Sequence, residues 1–146
     1  MRLIPPAWFL LAIALMVGLS MLAPGPRLLE FPLRYIGVGV MLIGLALVAL
    51  PAVYFARFHT PIHPGHTPTA LITTGPYRFS RNPIYAGMFV ALLGIAILLG
   101  VTTPIIAPFI FVAIIRMLFI KREEAICREQ FGQDYTEYCE KVRRWV

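Results

Sequence analysis

RNPIYAGMFVALLGIAILLGVTTPIIAPFIFVAIIR, residues 81–116, holds 34 consecutive residues without a charge between its two arginines. A membrane-crossing helix needs about 20 apolar residues, so this run is too long for one crossing and long enough for two short ones. Gly100-Val101-Thr102-Thr103-Pro104 supplies the small, polar and proline residues of a turn near its middle. The stretch therefore reads as a helical hairpin, with spans near 83–100 and 104–120. Two more uncharged runs precede it, 24 residues between Arg2 and Arg27 and 22 between Arg34 and Arg57. Each accommodates one span, near 7–23 and 35–56.

The composition agrees. The 146-residue chain is 59% hydrophobic and 14% charged, against about a quarter charged in an average soluble domain. The expected fold class is an all-α integral membrane protein, one domain of four transmembrane helices with a cytoplasmic loop 57–82 and a tail 121–146. Ala23-Pro24-Gly25-Pro26 makes a poor signal cleavage site, so the first span is expected to be retained. With four crossings, Arg2, Arg57, Arg78, Arg81, Lys121, Arg122, Arg128, Lys141, Arg143 and Arg144 fall on one side, and only Arg27 and Arg34 on the other. The positive-inside rule then predicts both termini in the cytoplasm. The net charge of +6 describes a membrane face beside anionic lipid and not a nucleic-acid surface. Cys127 and Cys139 both lie in the tail, where twelve residues of straight helix would hold them about 18 Å apart, so no disulfide is expected.

Four polar clusters border the spans. Around the third span's start stand Gly75, Tyr77, Arg78, Arg81, Asn82, Pro83, Tyr85 and Gly87. Asn82 and Pro83 suit the cap and first position of a helix, whose free N–H groups would face the cytoplasm and suit an anion. The arginines add charge-assisted donors, or serve only as topology charges. Arg116 and Glu123 are seven residues apart, close to two turns of one helical face; Glu124 points about 100° away. That pair reads either as a site for a zwitterion or as a snorkelling arginine with solvent-paired glutamates. His59, His63 and His66 share a loop with Pro61 and Pro64. No metal site is expected there, and His59 is kept as a possible site contact. The fourth cluster is the tail, where Gly132 can end a helix and Tyr135, Tyr138, Val142 and Trp145 share one face, as an amphipathic surface helix or a lid.

These clusters, in this order, resemble the superfamily of isoprenylcysteine carboxyl methyltransferases and phospholipid N-methyltransferases. The resemblance is carried by TALITTGPYRFSRNPIYAGM (69–88), the apolar hairpin and REEAICREQFGQDYTEYCEKVRRW (122–145). It implies S-adenosylmethionine as cofactor, bound at the cytoplasmic mouth. By resemblance Gly75, Tyr77, Arg81, Asn82, Pro83, Tyr85 and Gly87 would form one wall, and Glu123 and Glu124 would hold the cofactor; Arg78 is a further cofactor-binding candidate beside them. Arg116, Glu124 and His59 are the candidates for catalysis, Arg116 on spacing. It implies a methyl acceptor that is lipophilic and enters from the bilayer: a prenylcysteine-like carboxylate, a thiol or a phospholipid amine. The sequence leaves acceptor and oligomeric state open.

Two other classes fit parts of the pattern. A small four-helix transporter should carry an ionisable residue near mid-membrane, whereas Arg116 lies about one turn from the cytoplasmic end of its span. A nicotinamide-dependent membrane reductase resembles the last helices but is a much longer chain.

Overall fold

The computed structural model describes residues 4–57 and 69–145. His59, His63 and His66 lie outside the described residues. Five α-helices account for most of the rest: α1 Pro5–Leu22, α2 Ile36–Arg57, α3 Pro83–Leu99, α4 Ile106–Ile115 and α5 Lys121–Lys141. A π-helical turn, Arg116–Ile120, joins α4 to α5 without interruption. No strand forms among the described residues beyond one isolated bridge, Arg27 to Val101.

Among the described residues, three helical stretches are long and apolar enough to cross a membrane: Pro5–Leu22, Leu33–Pro51 and Thr103–Lys141. α3 is apolar but slightly shorter, at 17 residues. The third stretch has 39 residues. At 1.5 Å per residue the part up to Ile120 already spans about 27 Å, close to the hydrocarbon core, so the charged part from Lys121 lies beyond a single crossing.

The hairpin turn forms where the sequence places it. Gly100 closes α3 at φ +73°, a left-handed conformation glycine adopts freely, and Thr103–Ile105 makes one 3-10 turn. The α1–α2 connection is tied to this turn. Leu28 N–H donates to Gly100 O at 2.8 Å, Thr102 N–H to Pro26 O at 3.1 Å, and Thr103 Oγ1 to Ala23 O at 2.6 Å.

Packing between α2 and α3 is set by small residues. A Cβ on Gly87 would lie 2.8 Å from Gly44 O and from Val48 N, and Gly44 is packed as closely on Ala91. Gly37 and Gly94 repeat the arrangement nearer the turn. The stripe brings two backbones into direct contact, as small residues do where lipid offers no hydrophobic drive. α1 and α4 complete the bundle around Met16, Leu92, Phe111 and Ile115, with Phe9 edge-on to Phe111 at 6.2 Å.

Two expectations about α4 and α5 are corrected. The π turn widens the helix between Arg116 and Glu123, so seven residues no longer make two whole turns. Arg116 is exposed, without a hydrogen-bond or ion-pair partner among the described residues, while Glu123 is turned inward. Gly132, with φ +50° and ψ −116°, does more than end a helix. Twenty residues of straight helix would separate Glu124 from Arg144 by about 30 Å, yet their side chains touch at 2.6 Å. The chain therefore reverses at Gly132. Cys127 and Cys139 consequently pack on the same cluster of Tyr135, Tyr138 and Val142, so straight-helix spacing does not govern them. Both thiols are free.

Candidate functional site

The reversal gathers three segments at one end of the bundle: residues 74–85, the first turn of α5, and residues 135–145. Gly75, at φ +61°, starts a 3-10 turn that extends to Arg78. The Tyr54 ring from α2 lies against the face of Gly75 where a Cβ would project. That close approach requires glycine. Tyr77 is buried behind it, and its carbonyl accepts a 2.6 Å bond from Tyr138 Oη. Burial pushes the Tyr77 phenol above its ordinary range, so it stays protonated. Arg78 points outward and is exposed.

Asn82 occupies the cap position of α3 with Pro83 next, as their residue types predict. Its side chain does not cap the helix. Nδ2 donates instead to Arg144 O at 3.0 Å, and Asn82 N–H donates to Ser80 Oγ at 3.1 Å. The first turn of α3 thus carries backbone donors that its cap side chain does not satisfy, the partial positive end of a 17-residue helix.

Tyr85 follows on the inner face and donates from Oη to Glu123 Oε1 at 2.8 Å. Burial raises the Glu123 carboxyl above its ordinary value, the neighbouring Glu124 adds to the rise, and the Tyr85 bond opposes it. Glu124 makes different contacts. It accepts Arg144 Nε at 2.8 Å and Nη2 at 2.6 Å, and lies 3.5 Å from Arg81 Nη2. Arg81 Nε is buried and has no hydrogen-bond partner among the described residues.

Gly75, Tyr77, Arg81, Asn82, Pro83, Tyr85, Glu123 and Glu124 are therefore gathered around one place, linked directly or through residues 138–144. Gly87 is taken up in the α2 contact, and Arg116 and Arg78 face outward. Arg144, Ser80 and Tyr138 complete the site. Arg144 reads in the sequence only as a topology charge, because no local spacing marks a residue that reaches its partner through a chain reversal.

The arrangement fits a small zwitterion carrying an anionic and a cationic end. An orphaned guanidinium nitrogen beside an uncapped helix N-terminus suits a carboxylate. An inward carboxyl held by a tyrosine suits an ammonium. Both stand at the edge of an apolar bundle.

Comparison with known proteins gives the same picture at larger scale. The phospholipid methyltransferase family model matches residues 33–134. A probable protein-S-isoprenylcysteine O-methyltransferase of Oryza sativa subsp. indica is 32% identical over 123 residues, 80% of this chain and 63% of that protein. A protein-S-isoprenylcysteine O-methyltransferase of Schizosaccharomyces pombe is 35% identical over 75 residues, 49% of this chain and 30% of that one. The chain thus spans less than two thirds of the length of these relatives. Among solved structures, the eukaryotic intramembrane Ras methyltransferase, isoprenylcysteine carboxyl methyltransferase, superposes with a TM-score of 0.68 at 21% identity, over 97% of this chain and 51% of that one. That likeness establishes the fold, a helical membrane architecture.

Proposed function

The chain belongs to the phospholipid methyltransferase family, and on that premise we propose that it is an S-adenosylmethionine-dependent methyltransferase of membrane-embedded acceptors. The observation that carries the reading is the juxtaposition of Arg81 and the α3 N-terminus with Tyr85 and Glu123 at one end of an apolar bundle. The cofactor would supply an electrophilic methyl group on a sulfonium. Arg81 and the first turn of α3 would hold its carboxylate; Glu123, oriented by Tyr85, would hold its ammonium. Tyr77 and Gly75 form the wall beside them.

The chain's own contribution to rate is alignment and exclusion of water. Methyl transfer to a carboxylate or thiolate needs no base, and a dry pocket that fixes donor and acceptor in line supplies most of the acceleration. An amine acceptor must also lose a proton, and Glu123, engaged with the cofactor's ammonium, is not free to take it. The site stands at the edge of an apolar bundle, which favours an acceptor with a hydrophobic anchor. A prenylated cysteine carboxylate or a phospholipid amine both meet that description.

The same reading gives α1, α2, α3 and α4 one crossing each, with residues 57–82 and 121–145 on the cytoplasmic side. The face of Tyr135, Tyr138 and Val142 then packs on the site and not on lipid.

The test is calorimetric titration of the purified protein with S-adenosylmethionine, followed by methyl transfer to extracted membrane lipids and to a farnesylcysteine analogue. Wild type is expected to bind and to label a lipophilic product. Binding to Arg81→Ala and Glu123→Gln at wild-type strength would refute the site.

A further inference from the structure

The two adjacent glutamates have unlike partners. Glu123 accepts a bond from Tyr85. Glu124, whose side chain is 13% exposed, takes both arms of the Arg144 guanidinium and stands beside Arg81. A carboxylate engaged by a bidentate arginine and a second guanidinium has its charge compensated and its lone pairs largely committed. It cannot also take an ammonium without releasing Arg144.

The backbone around Arg144 is equally committed. Arg143 O accepts from Arg81 N–H at 3.0 Å. Arg144 O accepts from Asn82 Nδ2 at 3.0 Å and from Ser80 Oγ at 3.4 Å. Trp145 packs against the main hydrophobic core. Residues 142–145 thus form a strap that crosses the start of α3, immediately beside the buried Arg81 Nε.

We propose that Arg144 is a positioning residue: through Glu124 it latches residues 142–145 across the start of α3 and the site mouth, leaving Glu123 as the carboxylate that faces the ligand. The identity of that ligand rests on the function proposed above; the latch does not. Arg144 acts through Glu124 in two ways. It fixes the strap whose carbonyls orient Asn82 and the Arg81 backbone, and it shares Glu124 with Arg81 Nη2, so that Arg81 Nε is the donor left free. With the latch formed, a ligand held by Arg81 and Glu123 is covered on its aqueous side.

Hydrogen exchange on the full chain in lipid nanodiscs reads the latch directly. In Arg144→Gln and in Glu124→Gln, exchange in peptides covering 80–82 and 138–145 is expected to speed up by about tenfold, the weight of one charge-assisted hydrogen bond, while α1–α4 exchange as in wild type. Arg144→Lys, which keeps the charge without the fork, should be intermediate and is the fallback if the neutral variants unfold. Unchanged exchange in these variants overturns the latch. The second readout is the dissociation rate of S-adenosylmethionine, expected to rise by about tenfold in Arg144→Gln and to be intermediate in Arg144→Lys. Faster exchange with unaltered dissociation would reduce Arg144 to a structural tie and overturn its positioning role. A wild-type protein that binds no S-adenosylmethionine overturns the proposed function, while the exchange data still decide the latch.

Discussion

Burial raises the Glu123 carboxyl above its ordinary value of 4.5, so the folded chain holds this proton more tightly than the unfolded one. The sign of the consequence follows. Stability is complete at low pH, declines as pH climbs from 4.5 toward the raised value, and is level above it. Glu123→Gln should abolish that decline and raise the melting temperature of the ligand-free protein at neutral pH, measured in detergent across pH 4–7 as an approximate range. The same substitution should weaken S-adenosylmethionine binding by about tenfold or more in a titration. A variant that gains stability while losing affinity identifies a group kept for function. Tyr85→Phe removes the bond that opposes the shift, leaves the carboxyl buried without it, and should cost about 1–3 kcal/mol at neutral pH by the same melting assay. The sequence alone marks both glutamates as an acidic pair. Only their partners distinguish them, and those partners lie 38 residues away in one case and 20 in the other.

At the scale of elements, the hairpin over 81–116 was legible because its two signals are local. An uncharged run exceeds one span, and a Gly-Val-Thr-Thr-Pro break divides it. Gly87, Ala91 and Gly94 lie at helical spacing along α3, and the structure supplies their partner, Gly37 and Gly44 on α2. Gly87→Ala should cost about 1–3 kcal/mol in thermal unfolding, since its new Cβ meets the α2 backbone and not a movable side chain. Seven-residue spacing does not put Arg116 and Glu123 on one face here, because a π turn leaves no mark in apolar residue types and RMLFI at 116–120 is compatible with either helix. Gly132 illustrates the reverse problem. A glycine at a helix end is a local signal, but the direction in which the chain leaves is not. No atom crowds Gly132, so Gly132→Ala tests backbone conformation alone. It should cost about 1–3 kcal/mol and loosen residues 133–145, read by melting and by limited proteolysis.

For the whole molecule, the proposed four crossings place the α1–α2 connection on one side and α5 on the other. In a background lacking Cys127 and Cys139, Leu28→Cys should react with an impermeant maleimide added outside intact cells. Glu129→Cys should react only after permeabilisation. Labelling of both from the same side would refute the topology. The last part of α2, the start of α3 and the first turn of α5 are brought together by Tyr54 against Gly75 and by Tyr85 bonded to Glu123. The helix bundle sets the depth of the site, and the reversal at Gly132 closes it.

The sequence by itself determined the membrane class, the hairpin, the family and the segments that would meet at the site. These depend on hydrophobic run length, charge placement and residue types read along the chain. Tertiary structure alone decided which glutamate faces inward, which arginine holds the other, and that Arg116 stands apart. Those outcomes depend on one π turn and one glycine dihedral pair. A few tens of degrees of backbone rotation there redirect every side chain beyond them, and residue types do not encode that angle.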